Sequence, residues 1–176
     1  DEVGFTHYEL DLKKSDSNKF KDIAKNHKDL ETIILNAGYG VFKELEQFSD
    51  DEIVDLVNVN LVNQIILLKY LLPNLKKNKK GKIIIIGSQS GLHGAKKSCI
   101  YSTTKFALQG LAESLKAECN KAGILVTIIN PGMTHTAFHD DLHFTHGDNP
   151  ENHINVEDIS QIVSLISNLD YNLNID

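Results

Sequence analysis

The chain of 176 residues contains no arginine and no tryptophan, a single methionine, two cysteines and three prolines. Two cysteines cannot form a disulfide framework, and Cys99 and Cys119 lack CxxC spacing, so we expect a reducing, cytoplasmic location. A formal net charge of -6 argues against a nucleic-acid partner. Apolar runs are short and no signal peptide opens the chain, so we also expect no membrane partner.

What the chain does have is enough apolar material for a folded core. Hydrophobic residues make up 41% and charged residues 24%, a balance too apolar for a disordered chain. The length fits one domain, and neither an internal repeat nor a shift in composition marks a second. Because the chain begins at Asp1 and its only methionine is Met133, we expect the translated start to lie upstream.

Short apolar runs alternate with amphipathic segments along the sequence. A capping box formed by Ser49 and Glu52 predicts one helix start, while Pro73 and Gly123 predict two helix ends. The alternation predicts an α/β fold with a parallel sheet and right-handed crossovers. The predicted strands span residues 5–12, 32–35, 82–87, 125–129 and 171–175, and the predicted helices span residues 16–28, 50–72, 101–121 and 156–169.

Polar and glycine residues gather where the predicted strands end. In open parallel sheets, ligands bind outside the carboxyl ends of the strands. The sequence therefore predicts a ligand site at this edge of the sheet before any motif is named. The residues at these ends are Asp11, Asn36, Ala37, Gly38, Gly87, Ser88, Asn130, Pro131 and Gly132.

Tyr101 and Lys105 lie four residues apart in a predicted helix and therefore share one face. A lysine ammonium beside a phenol stabilises the phenolate and lowers its pKa, which makes the tyrosine a candidate general acid or base. Two more polar residues accompany this pair. Ser88 precedes Tyr101 by thirteen residues, and Asn60 lies in an apolar helical stretch where its amide requires a polar partner.

In these four residues the chain resembles the short-chain dehydrogenase/reductase family. Asn60, Ser88, Tyr101 and Lys105 match the order and separation of the catalytic tetrad of that family. The resemblance implies that Tyr101 exchanges a proton with the substrate and that Ser88 holds the substrate oxygen. It also implies that Lys105 contacts the nicotinamide ribose and lowers the pKa of Tyr101, while Asn60 holds a water that resupplies protons.

Three further segments resemble the cofactor-binding parts of the family. Asn36, Ala37 and Gly38 resemble its Asn-Asn-Ala-Gly turn, although Leu35 stands in place of the first asparagine. The other two segments are Asp11 with Leu12, which resemble the pair that borders the adenine, and Pro131, Gly132, Thr134 and Thr136, which resemble the nicotinamide segment.

The resemblance implies a Rossmann-like, doubly wound parallel sheet and an NAD or NADP cofactor, with NADP favoured by analogy. Hydride would pass between nicotinamide and a small carbonyl or alcohol substrate. The glycine-rich phosphate loop of the family has no counterpart in the sequence. Residues 1–176 would then form a single NAD(P)-binding domain without its first two strands. In the sheet, the missing strands would lie between the strand at residues 5–12 and the strand at residues 32–35. We therefore expect that the chain alone neither folds stably nor turns over.

Ser90, His93 and Met133 border the expected substrate pocket, and Cys99 is either a buried inert thiol or a pocket residue. A histidine-rich segment follows the Pro-Gly turn. Three of its histidines step by four residues, a spacing seen in metal sites. We favour a short polar lid over a small polar substrate and expect no metal. The histidines of this segment are His135, His139, His143, His146 and His153.

Two predicted helices carry apolar or small side chains on faces other than the one that packs on the core. The 50–72 helix is apolar on nearly all sides, and the 101–121 helix carries a stripe of small side chains. In the family such helices form a four-helix interface, so a homodimer or homotetramer is expected, with a core-only role as the alternative. The stripe consists of Ala107, Gly110, Ser114 and Ala117.

Two other functions stay open at this point. A nucleotide-binding sensor without turnover could use the same fold, although such a protein does not need Tyr101 and Ser88 together. A sugar-nucleotide epimerase also pairs a tyrosine with a lysine at this spacing, but the short interval between Ser88 and Tyr101 disfavours it.

Overall fold

The computed structural model of the protein describes residues 6–134 and 154–169. Helices and strands alternate along these residues, as the sequence predicts. Three short helical turns, at Leu45–Gln47, Gln89–Gly91 and Asn120–Ala122, lie between the main elements. The main elements are α1 (Ser17–Asn26), β1 (Thr32–Leu35), α2 (Asp50–Val57), a π-turn (Asn58–Val62), α3 (Asn63–Asn78), β2 (Gly81–Ile86), α4 (Cys99–Cys119), β3 (Ile124–Ile129) and α5 (Val156–Asn168).

The three strands form one parallel sheet in the order β1-β2-β3. Ile33 pairs with Ile83, and Ile83 pairs with Val126, so these side chains point to the same face. On that face they pack with α3 and α4 in the main core. The opposite face presents Ile84 and Leu125 to α5. Helices thus cover both faces of a parallel sheet, which confirms the predicted doubly wound α/β class.

Coverage of the second face is uneven. Ile84 is fully buried there, whereas Ile34 on the neighbouring strand β1 is 47% exposed. The reason is that α5 packs on β2 and β3 and does not reach β1. Lys82 helps to fix α5, because its buried ammonium donates to the carbonyl of Ser167 at the end of that helix, at 2.6 Å.

The strand predicted at residues 5–12 is not formed in the described part, residues 6–12. A strand needs a neighbour for its backbone hydrogen bonds, and in the described residues the sheet contains only β1, β2 and β3. Side-chain amides hold the segment instead. Asn63 donates to the carbonyl of Leu12 at 2.8 Å, and Asn58 donates to the carbonyl of Lys13 at 2.9 Å.

The helix predicted to end before Pro73 continues to Asn78. Proline removes one helical hydrogen bond and crowds the preceding turn, but tertiary contacts beyond it outweigh that cost. Leu75 is fully buried in the core. Asn74 donates to the carbonyl of Ala24, and Asn78 to that of Lys28, each within 3.0 Å. The last turn of α3 is therefore tied to α1.

The helical stretch from Asp50 to Asn78 is also long enough and apolar enough to pass for a membrane helix. From the sequence, only short apolar runs are expected. By length and composition, this helical stretch contradicts that expectation. In the fold, Leu68, Leu71 and Leu75 of this stretch lie in the main core against the sheet. A core helix with this packing has the same composition as a membrane span.

Candidate active site

A cavity of about 1240 Å³ lies at the carboxyl ends of the strands, where the sequence predicts the ligand site. It is bounded by the ends of all three strands, the start of α4 and one side of α5. The predicted site residues that line it are Asn36, Gly38, Ser88, Ser90, Tyr101, Lys105, Pro131, Gly132, Met133 and Thr134.

Several predicted site residues lie elsewhere. Asp11, Leu12, Ala37 and Asn60 do not line the cavity. His93 is exposed on the loop after β2 and does not line it either, although Ser90 and Lys96 of the same loop do. Cys99 is exposed rather than buried. Outside the described residues lie Thr136, the predicted strand at 171–175 and the histidines His135, His139, His143, His146 and His153.

Tyr101 lies in the first turn of α4 and is buried. Its ring packs at a tilt against Phe42, with 5.3 Å between the ring centroids. Burial raises the pKa of Tyr101 above its ordinary value of 10, and a hydrogen bond with the Ser88 side chain opposes that rise. The phenol is therefore protonated at neutral pH, in contact with the serine that the sequence pairs with it.

Lys105 lies one turn further along α4 and is also buried. Its ammonium donates to the carbonyl of Ile86 at 3.0 Å and lies 5.7 Å from the centroid of the Tyr101 ring. Burial lowers the pKa of Lys105 to about 8. The net pKa of Tyr101 is raised by burial, and the lowering effect expected of Lys105 stays a prediction.

Ser88 follows β2 in extended backbone conformation. Its hydroxyl accepts from the backbone N–H of Ser90 at 3.1 Å, and its own N–H donates to the Asn130 side chain at 3.2 Å. A Cβ atom on Gly87 would overlap that Asn130 side-chain oxygen, so a larger residue there would displace the amide that holds Ser88. Asn130 therefore positions Ser88, a role that sequence reasoning missed.

Asn60 is fully buried in the π-turn between α2 and α3. Its side-chain oxygen accepts from the N–H of Tyr39 at 3.0 Å, and its amide donates to the carbonyl of Tyr39 at 2.8 Å. The amide also donates to the Thr104 hydroxyl at 3.3 Å. The predicted need for polar partners is thus met, and the side chain joins the turn after β1 to α4.

Two further amides of the same region were not singled out from the sequence. Gln64 donates to the carbonyl of Ala37 at 2.5 Å and to that of Asn60 at 2.8 Å. Asn63 donates to the carbonyl of Leu12 and accepts from the Ser15 hydroxyl at 2.6 Å. The signal was present as a cluster of amide residues in an apolar helix. These amides hold the two segments, around residues 12 and 37, that resemble cofactor-binding segments.

The loop between β2 and α4 is packed tightly against the helix that carries Tyr101. A Cβ atom on Gly91 would lie 2.7 Å from the backbone oxygen of Lys105, a distance that side chains do not tolerate. Ser98 is buried and its hydroxyl lies 2.8 Å from that of Ser102. The loop and the first turns of α4 therefore form one rigid unit along the cavity.

Comparison with known proteins identifies a matching family and several relatives of the chain. A family model described as short chain dehydrogenase matches residues 1–145. The human 17-beta-hydroxysteroid dehydrogenase type 1 is 34% identical over 109 residues, which cover 62% of this chain and 33% of that protein. The 3-ketodihydrosphingosine reductase of Bacteroides thetaiotaomicron is 34% identical over 111 residues, covering 63% of this chain and 41% of the reductase.

Solved structures share the fold. One of ElxO with NADP bound has a TM-score of 0.82 at 24% identity, covering 95% of this chain and 73% of the other. Serine dehydrogenase from Escherichia coli has a TM-score of 0.79 at 19% identity, covering 95% and 71%. The chain spans between a third and a half of the two curated relatives described above. With the family model matched over most of its length, the chain belongs to the short-chain dehydrogenase family.

Proposed function

We propose that the protein is an NAD(P)-dependent oxidoreductase in which Tyr101 moves a proton to or from the oxygen of a carbonyl or alcohol substrate. The observation that carries this proposal is the buried Tyr101 phenol, in contact with Ser88 on the wall of a cavity at the strand ends. Ser88 holds the substrate oxygen and stabilises the charge that develops on it. A nucleotide sensor without turnover has no use for this pair.

The protonation of Tyr101 bears on the direction of the reaction. Burial raises the pKa of Tyr101, so the phenol at neutral pH holds a proton that it can donate. Lys105, with a pKa lowered to about 8, is the neighbouring group that changes protonation closest to neutral pH. The arrangement suits the reduction of a carbonyl, with Tyr101 as the proton donor.

The residues along the strand ends fit a nicotinamide cofactor. Asn36, Gly38, Pro131, Gly132 and Thr134 present small or polar groups to the cavity, and Lys105 lies beside them. A Cβ atom on Gly38 would come within 3.2 Å of Asn60 and 4.0 Å of the Lys105 ammonium, so its absence keeps this wall open. When bound, the nicotinamide supplies or accepts the hydride. NADP is favoured, in line with the NADP bound to ElxO.

Replacing Tyr101 by phenylalanine tests the assignment in the intact protein. We expect NADPH binding, followed by cofactor fluorescence, to stay unchanged, because the variant loses only the phenol hydroxyl. Turnover of a panel of ketones should fall by about 10³-fold or more. Ser88→Ala should lower turnover as well. Turnover that survives Tyr101→Phe would overturn the proposal, and cofactor binding without turnover of any substrate would favour the sensor.

A small substrate is our first candidate, and a larger apolar one is the second. Phe42, Ile86 and Val163 line the cavity, and an apolar wall of this kind favours the second. The names of the two curated relatives, a hydroxysteroid dehydrogenase and a ketodihydrosphingosine reductase, point the same way. A panel that includes short oxo compounds and bulky apolar ketones separates the candidates by kcat/KM.

The location and assembly of the protein are also part of the proposal. The two cysteines are free, and Cys99 is exposed, which suits the reducing conditions of the cytoplasm. Gly110, Ser114 and Ala117 of the small-residue stripe on α4 are exposed. A Cβ atom on Gly110 would meet nothing within 4 Å. This open face supports a homodimer or homotetramer in which α4 contacts its copy.

A further inference from the structure

The charges on the cavity wall are all of one sign in the part of the chain that the structure describes. Two lysines line the cavity there, Lys96 and Lys105, and no aspartate or glutamate does. Lys105 donates to the carbonyl of Ile86 beside Tyr101. Lys96 lies on the loop before α4. The cavity therefore presents a positive charge that the proposed proton transfer does not use.

The backbone around Lys96 is fixed relative to Tyr101. Lys96 is the second residue of a tight turn that the N–H of Ser98 closes by donating to the carbonyl of Ala95 at 3.3 Å. Ser98 is buried, and Ser102 donates its N–H to the carbonyl of Ser98 at 2.7 Å. The turn is thereby joined to the first turn of α4, which contains Tyr101.

The turn separates two neighbouring lysines. Ala95, Lys96 and Ser98 line the cavity, whereas Lys97 does not. Lys97 occupies the third position of the turn with φ 60°, the left-handed conformation that this position of a type II turn requires. Two lysines with the same charge and almost the same place in the chain thus differ in whether they line the cavity.

We propose that the cavity takes a carbonyl substrate that carries a carboxylate, and that Lys96 pairs with this carboxylate while the carbonyl oxygen meets Ser88 and Tyr101. This inference rests on the proposed function. The carbonyl carbon gains a hydride from NAD(P)H and its oxygen gains the Tyr101 proton, which leaves a hydroxy acid and NAD(P)⁺. Lys96 is itself exposed, and apolar residues such as Phe42 and Val163 also line the cavity. A carboxylate bound there would be less hydrated than in bulk water, which strengthens its pairing with Lys96.

Matched substrates and matched variants test this assignment in the intact protein. Acetoacetate and its methyl ester present the same ketone with and without the negative charge. For acetoacetate, we expect Lys96→Met to lower kcat/KM by about tenfold, chiefly through KM, and Lys97→Met to leave it within about twofold. For the ester, neither variant should change kcat/KM. Equal effects of Lys96→Met on acid and ester, or no effect on either, would overturn the inference.

Binding separates a failure of this inference from a failure of the proposed function. Saturation-transfer NMR can follow acetoacetate on the wild-type protein and both variants, with NADP⁺ present so that no turnover occurs. Binding that Lys96→Met abolishes and Lys97→Met preserves supports the carboxylate site even if the protein turns over no ketone. Turnover of the ester together with acid binding that does not depend on Lys96 overturns the site and leaves the proposed function standing.

Discussion

Burial acts on Tyr101 and Lys105 in opposite directions. It raises the pKa of Tyr101 and lowers that of Lys105 to about 8, because in each case the charged form loses hydration. The result is a neutral phenol next to a lysine that can lose its proton a little above neutral pH. Lys105, rather than Tyr101, is therefore the group through which pH acts on this site first.

The lowered pKa of Lys105 predicts how stability changes with pH. Below pH 8 the lysine is protonated in the folded and unfolded states, so it adds no pH dependence. Between pH 8 and its ordinary pKa of 10.5 the unfolded chain holds more protons, so raising the pH stabilises the fold. Between pH 8 and pH 10 the wild type should gain about 2 kcal/mol relative to Lys105→Met.

Urea unfolding at a series of pH values measures this gain. Lys25→Met, at an exposed position on α1, is the control and should follow the wild type. All variants are compared with the wild type in a chain of the same length. If the free energy of unfolding changed with pH in the same way for the wild type and Lys105→Met, a lowered pKa for Lys105 in the folded state would be contradicted.

Gly91 and Gly94 provide a second test at the scale of single residues. A Cβ atom on Gly91 would overlap the Lys105 backbone oxygen at 2.7 Å, whereas one on Gly94 would meet nothing within 4 Å. Gly91→Ala should therefore push the loop away from α4 and lower the free energy of unfolding by about 1–3 kcal/mol. Gly94→Ala should be neutral or stabilise by about 0.5 kcal/mol. Equal Tm values for the two variants would refute the close packing.

Among the secondary-structure elements, α3 is a case in which tertiary contacts override what the local sequence predicts. The capping box at Ser49 was predicted from the sequence and is present, with the Ser49 hydroxyl accepting from Glu52 at 3.2 Å. The helix end at Pro73 was also predicted and is absent. The contacts that carry α3 past the proline come from residues about fifty positions away, on α1 and just after it, which no local pattern can reveal.

Pro73 consequently offers a stabilising substitution. The residue is exposed inside a continuous helix, so Pro73→Ala restores a helical N–H without touching the core. The expected gain is about 1–2 kcal/mol, since the lost rigidity of the unfolded chain offsets part of the benefit. Lys77→Ala, at another exposed position of α3, should change stability by less than about 0.5 kcal/mol. A lower Tm for Pro73→Ala would mean that the proline stabilises the helix.

The sequence predicts those residues of the candidate site that lie at strand ends or on one shared helix face. Ser88 was placed by its strand end and Tyr101 with Lys105 by their shared helix face, with the resemblance to the family joining the three, and all three line the cavity. The supporting amides do not follow in this way. Gln64 bonds a carbonyl of the π-turn, and a π-turn has no clear signature in a single sequence. Asn63 bonds the carbonyl of Leu12, about fifty positions away along the chain.

For the molecule as a whole, the exposed apolar residues on neighbouring helices predict association. Val54 on α2 is 55% exposed and Phe106 on α4 is 45% exposed, and the two helices are in contact. Light scattering should give at least the mass of a dimer for the wild type. Phe106→Glu should shift it toward the monomer, because the charge would be buried in the interface.

Asn26→Glu is the control for the added charge, since it changes the net charge equally at the exposed end of α1. Its mass should equal that of the wild type. A wild type that is monomeric at micromolar concentration would rule out the proposed assembly. A dimer that survives Phe106→Glu would place the interface on another surface.

The strand order β1-β2-β3 is the same as the order of the strands along the chain. Each crossover, through α2 and α3 or through α4, joins strands that are neighbours in the sheet, so no strand has to pair across another one. On the ribosome, β2 therefore emerges when β1 is already available to pair with it, and β3 emerges when β2 is. The sheet can therefore grow in the direction of synthesis, one neighbouring strand at a time.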